Sequence, residues 1–118
     1  MATQTEITEA LLDFQVQCNE NARLRKMQRD WSKIIHTVAS DCEAHHTMTV
    51  VKGETTKVEE GLHGTPDIIM TADSETMCDM YWGDLNPSQK YMRGEIKVKA
   101  SQEDIMRIDA ITMIIWPD

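Results

Sequence analysis

The amino-acid sequence predicts an α+β domain with a mainly antiparallel sheet, and three observations carry that reading. The first 40 residues follow a helical period, opened by a capping-box spacing at Thr3 and Glu6. After Ala44 the period changes to the alternation of strands. The later half then mixes short strands with capped helices, without a linker, repeat or low-complexity tract. At 118 residues the chain suits one compact domain, 1–118, able to bury about two-thirds of its unfolded surface.

The elements follow in order. A first helix is expected from Gln4 to about Cys18, after which Asn19-Glu20-Asn21 offers a break and a new N-cap. Leu24, Met27, Trp31, Ile34, Ile35 and Val38 then fall within about 100° of a helical wheel, with Arg25, Lys26, Arg29 and Lys33 opposite. This predicts a second helix, so that two N-terminal helices fill residues 4–40. His46–Val51 and Thr55–Glu60 alternate and are β-branched around a turn at Lys52-Gly53-Glu54, predicting a strand pair. Gly61–Pro66 is a loop, and the more apolar Asp67–Ala72 is a third strand, expected to be central. Asp73 or Ser74 caps a helix carrying Met77, Met80, Tyr81 and Leu85. Asn86-Pro87 opens a short helix and Gly94 follows it as a C-terminal glycine. Glu95–Lys99 alternates as a fourth strand, and Ser101 with Asp104 signals a last helix over Gln102–Ile115.

Composition narrows the function. The net charge of −8 argues against duplex nucleic acid as a main partner, since phosphate binding needs clustered bases. That charge is uneven: residues 1–22 carry −4, residues 23–40 carry +4 and the rest −8. The basic stretch is a solvated outer face or a site for transient contact with an anionic membrane surface. No apolar run reaches the 18 or so residues of a membrane span, and Met1–Glu9 lacks the pattern of a signal peptide. Three widely spaced cysteines, Cys18, Cys42 and Cys78, suit reduced thiols in a cytoplasm rather than a disulfide framework.

Residues 46–115 carry a resemblance. Pro66-Asp67-Ile68-Ile69-Met70, a helix, Gly83-Asp84-Leu85-Asn86-Pro87, and Tyr91-Met92-Arg93-Gly94-Glu95-Ile96-Lys97-Val98-Lys99 occur in that order before the apolar last helix. This succession resembles the sterol carrier protein 2 domain, whose pieces are individually unspecific but whose order and spacing are not. The resemblance implies a five-stranded sheet covered by helices on one face, an apolar tunnel for a lipid, sterol or fatty acyl chain, no catalysis and no cofactor. Ala100 stands where family members often have glycine, so the turn there needs another residue to bend. The chain ends Trp116-Pro117-Asp118, without the peroxisomal tripeptide typical of eukaryotic members, so a cytoplasmic, microbial, stand-alone member is expected.

The residues add their own argument for an apolar ligand. The last helix carries Ile105, Met106, Ile108, Ala110, Ile111, Met113, Ile114 and Ile115, which wrap nearly the whole wheel. A helix apolar all round must be covered on more than one side, by core and by a cavity or a second subunit. Six of the nine methionines (Met70, Met77, Met80, Met92, Met106 and Met113) lie in the same half of the chain. Thioether side chains adapt to irregular apolar shapes and suit variable ligands. Met70, Met77, Met80, Ile105, Ile108 and Met113 are therefore the candidate lipid-binding residues, with ordinary core packing as the alternative for each.

Other chemistry is poorly supported. Cys42, His45 and His46 could ligate a metal, but adjacent histidines on a strand point to opposite faces and no second cluster completes a site, so no metal is expected. No nucleophile elbow, phosphate loop or His-Glu-x-x-His pattern occurs, and Asp67, Asp73, Asp79 and Asp84 read as caps and surface charge. The function expected is a non-catalytic lipid carrier or accessory protein. The alternative is a lipid-free assembly module, with a homodimer made through residues 105–116.

Overall fold

The structure, a computed structural model, describes residues 1–116; Pro117 and Asp118, on which the reading of the chain's ending partly rests, lie outside the described residues. Helix α1 spans Gln4–Glu20 and opens with the expected capping box. Glu6 N donates to Thr3 Oγ1 at 3.2 Å, and Thr3 N donates to Glu6 Oε1 at 2.9 Å. Asn21 ends α1 and caps α2, Ala22–Met27, by accepting from Leu24 N at 2.9 Å.

The long second helix expected from the sequence does not form. It stops at Met27, and Lys33–Ala39 is strand β1. The helical spacing of Leu24, Trp31, Ile34, Ile35 and Val38 serves two different surfaces. Leu24, Trp31 and Ile35 are buried in the core, whereas Ile34, His36 and Val38 alternate onto the far face of the strand. The run Ile34-Ile35-His36-Thr37-Val38 is rich in β-branched residues, and strand partners wait on both sides of it. Strand β1 pairs antiparallel with β2 (His46–Val51) and parallel with β4 (Ile68–Ala72), from Ile35↔Ile68 to Ala39↔Ala72. Tertiary pairing overrides the local period.

The sheet has five strands in the order β3-β2-β1-β4-β5, with β3 at Glu54–Glu60 and β5 at Lys97–Lys99. Only the β1–β4 pairing is parallel, so the sheet is mixed but mostly antiparallel. The centre is β1, not the Asp67–Ala72 segment, which lies second from the edge. Lys52 and Gly53, with φ of 50° and 79°, turn β2 into β3. A Cβ on Gly53 would stand 2.6 Å from the Gln28 carbonyl oxygen, so this hairpin is fitted against the segment entering β1. The loop after β3 crosses the outer face of the sheet, where His63 N donates to Thr47 Oγ1 at 2.9 Å and Thr47 Oγ1 donates to the Gly61 carbonyl at 2.8 Å.

Helices cover the other face. Asp73 caps α3 (Ser74–Trp82), which ends at Gly83 with φ 80°. Asn86 caps the short α4 (Pro87–Met92), and Ser101 caps α5 (Gln102–Ile115) by accepting from Asp104 N at 3.1 Å. In α1, Ile7, Ala10, Leu11 and Phe14 are buried; they join Met77, Met80 and Tyr81 of α3 over Met48, Ile35, Ile68 and Met70 of the sheet. Phe14 meets Tyr81 edge-on at 5.1 Å. Polar side chains of α1 also finish the β3 edge: Gln15 Nε2 and Asn19 Nδ2 donate to the Thr55 carbonyl at 2.9 and 2.8 Å, and Thr55 N donates to Asn19 Oδ1 at 2.9 Å. Among the described residues no helix is long and apolar enough to cross a membrane.

Candidate functional site

Helix α5 is the most apolar helix of the described residues by composition, yet its only buried residue is Asp104. Its isoleucines are half-buried: Ile108, Ile111, Ile114 and Ile115 touch the core, and Ile105, Ile108 and Ile111 also border a cleft. The cleft has two apolar compartments beneath α5. A small one of about 50 Å³ reaches inward among Phe14, Cys18, Leu24, Trp31, Met48 and Tyr81. A larger one of about 260 Å³ opens between α4 and α5 beside Tyr91, Met92, Ile96, Val98, Ile105 and Met106. Met70, Met80, Ile108 and Thr112 border both, so these four side chains form the partition between them. The larger compartment shares Pro87, Ser88 and Thr112 with an outer groove of about 570 Å³ along Leu85 and Met113.

The six candidate residues separate accordingly. Met70, Met80 and Ile108 line both compartments, and Ile105 lines the larger. Met77 does not line either; it is fully buried in the core, one turn before Met80. Met113 stands about 140° around the helix from Ile108 at 100° per residue. It is 66% exposed and faces the outer groove. Apolar composition identified the helix without identifying which of its sides meets the cleft.

Polar contacts pin the first half of α5, and these were not foreseen. Trp31 Nε1 donates to Asp104 Oδ1 at 2.8 Å, and Lys33 Nζ stands 3.3 Å from Asp104 Oδ2. Burial pushes the Asp104 carboxyl up, but hydrogen bonds from Trp31 and Lys33, with the lysine charge, outweigh it and hold the group below its ordinary value. One turn on, Arg107 donates to both Asp30 oxygens at 2.8 and 3.1 Å and to Gln28 Oε1 at 2.9 Å. Gln28 Nε2 returns a bond to the Arg107 carbonyl at 3.2 Å. At the other end Trp116 packs 5.3 Å from Phe14 and against Gly83, where a Cβ would come within 2.7 Å of the indole. Helix α5 is thus fastened at both ends and spans the cleft between them. The sequence signals were Ser101–Asp104, legible only as a cap, and Trp31, assigned to a helix it does not join.

The groups inside the cleft are chemically quiet. Burial pushes the Cys18 thiol up to about 12, and it pushes the Tyr81 phenol up to about 12 against a hydrogen bond with Thr37 at 3.4 Å. Both are protonated at neutral pH. Asp67 accepts from Ile34 N at 2.9 Å and Asp73 from Thr76 N at 2.8 Å, so these carboxylates hold backbone. His45 Nδ1 accepts from Ala39 N at 3.2 Å while His46 Nε2 meets Thr8 Oγ1 at 2.7 Å. The two histidines turn away from each other, and among the described residues no three of His, Cys, Asp and Glu gather as metal ligands.

No family model matches the sequence, and no curated protein matches it. Solved structures do. The chain is similar to the crystal structure of sterol carrier protein 2, with a TM-score of 0.69 and 15% identity over 94% of this chain and 91% of that one. Sterol carrier protein domain 2 of Helicoverpa armigera gives 0.67 and 19% over 93% and 87%. A ubiquinone synthesis protein, UbiJ-SCP2, gives 0.68 and 11% over 100% and 98%. An enzyme is also similar: 74% of this chain matches 13% of the sec-alkylsulfatase Pisa1 from a Pseudomonas species, at 0.55 and 14%. With the mixed five-stranded sheet, its order and its helices matched over nearly the whole chain, the protein has the sterol carrier protein 2 fold.

Proposed function

We propose that the protein is a non-catalytic lipid-binding carrier or accessory protein, which holds a fatty acyl, sterol or isoprenoid chain in the cleft under α5. The observation that carries this reading is an apolar helix laid over a cleft bordered by Met70, Met80, Ile105 and Ile108. Transfer of a chain from water into that surface gains about 25 cal/mol per Å² buried. The thioethers of Met70 and Met80 let the partition adapt to different ligands. The protonated Cys18 and Tyr81 and the backbone-bound carboxylates support a binding role over a catalytic one. Three free cysteines support residence in a reducing cytoplasm.

Native mass spectrometry of freshly purified protein tests this, with uptake of a fluorescent fatty acid by delipidated protein. A bound lipid mass and saturable uptake are expected, and Ile108→Asp is expected to weaken uptake by more than about tenfold by placing a charge in the partition. Absence of saturable uptake in the unsubstituted protein sinks the carrier reading. A second reading, a lipid-free assembly module forming a homodimer, draws on Met106 and Met113, each 66% exposed. It requires a doubled bare mass that Met113→Asp returns to the monomer.

A further inference from the structure

We propose that the lipid held under α5 is a single chain with an uncharged, hydrogen-bonding head such as an alcohol, and that Asp109 turns free carboxylates away. The proposal rests on the lipid-binding reading and names the ligand class of the same cleft. The two ends of the cleft differ in what their polar groups have left to offer. Around the small compartment they are already paired: Trp31 Nε1 with Asp104 at 2.8 Å, Gln28 with Arg107 at 2.9 and 3.2 Å, and the Tyr81 hydroxyl with Thr37 at 3.4 Å. The Trp116 indole nitrogen, buried without a partner among the described residues, is turned onto Gly83. That end suits the tail of a chain. At the larger compartment Ser88, Tyr91 and Asp109 stand on the margin, and their side chains make no hydrogen bond or ion pair among the described residues. Thr112 Oγ1 donates to the Asp109 carbonyl at 2.8 Å and keeps its capacity to accept. A hydroxyl head can accept from Ser88 and Tyr91 and donate to Asp109, whereas a carboxylate can only accept.

Charge points the same way. The charged side chain bordering the larger compartment is Asp109, and the one bordering the outer groove is Asp84. The bases nearby are spent or turned away. Lys90 is tied to Glu95 at 3.0 Å, and Arg107 to Asp30 at 2.8 Å. Val98 pairs with Met70 and lines the compartment, so Lys97 and Lys99, which alternate with it, project from the opposite face of the sheet. Lys90 and Arg93 at the end of α4 are matched in number by Glu95 and Asp109, which leaves the rim without net charge. A carboxylate gains nothing from a neutral rim and is repelled by the acid at its edge. An uncharged head escapes that repulsion.

Displacement of a fluorescent fatty-acid methyl ester from the delipidated full chain tests the assignment. The competitors are dodecanol, dodecanoate and dodecylamine, each below its micelle concentration at pH 8. The alcohol is expected to compete about tenfold better than the carboxylate. Asp109→Asn is expected to narrow that ratio about threefold, and Asp109→Lys to bring the two competitors level. Glu9→Gln removes the same charge from the exposed side of α1 and is expected to leave the ratio unchanged. A carboxylate that competes as well as the alcohol, an amine that surpasses both, or a ratio that neither Asp109 variant moves overturns the proposal. So does a ratio that Glu9→Gln shifts as far as Asp109→Asn, which assigns the preference to net charge. If the ester itself is not taken up saturably, the carrier reading fails and the head-group assignment falls with it. Saturable uptake without the alcohol preference removes the head-group assignment alone.

Discussion

Helix α1 buries five residues, Ile7, Ala10, Leu11, Phe14 and Cys18, between α3 and the sheet; α5 carries seven isoleucines and methionines and buries only the acid Asp104. The first is held along its length by packing. The second is held at its ends, by Asp104 and Arg107 at one and Trp116 at the other, with a cleft under its middle. Composition alone would have ranked them the other way. An apolar helix left half-covered is the feature on which the lipid-binding proposal rests.

The contrast can be broken by substitution. Leu11→Ala is expected to cost about 3 kcal/mol in urea denaturation, because solid packing cannot collapse around the gap. Ile111→Ala on α5, half-buried beside a cleft, is expected to cost about 1 kcal/mol. Equal losses at the two sites would erase the distinction. Asp104→Ala should cost about 2 kcal/mol, leaving the Trp31 indole N–H and Lys33 without their partner. Hydrogen exchange should then rise in the α5 amides while those of α1 stay protected; a uniform rise means the two helices open together.

The smallest expected effect separates the helices by pH. Burial lowers the pKa of His46, whose ring meets Thr8 of α1, from 6.5, so the fold favours the neutral ring. The unfolded chain then binds a proton that the folded chain refuses, and stability falls as pH drops below about 6.5. Asp104 has its pKa lowered from 3.8, so its contribution is present above that value and lost only as pH falls through the still lower folded one. Thermal unfolding between pH 7.5 and 5 should show a modest decline that His46→Gln reduces. A decline unchanged by that substitution assigns it to other groups.

Much of this architecture was legible wherever the signal was local. The capping box at Thr3 and Glu6, the caps at Asn21, Asp73, Asn86 and Ser101, and the alternation of His46–Val51 lie within a few residues of what they specify. Strand β1 was not, because its apolar spacing also fits a helix and its parallel partner β4 lies a loop and a hairpin away. The cleft was half legible. Met70, Met80, Ile105 and Ile108 follow from side-chain type, but Met77 and Met113 depend on which way each helix is rolled. The pins of α5 join residues 73 and 79 positions apart, and no local pattern announces such pairs.

The strand borders carry a last consequence, for solubility. A sheet whose outer strands offer bare amides and carbonyls invites another chain to add on, and an adjacent greasy opening would aggravate that tendency. Here one border, β3, has the backbone amide and carbonyl of Thr55 taken by the amide side chains of Gln15 and Asn19. The other is β5, three residues long and reading Lys-Val-Lys, too short and too charged to template an aggregate. Replacing Lys97 and Lys99 by threonines would therefore be felt first on storage at high concentration, as slow fibrillar precipitation of a protein whose fold had not changed.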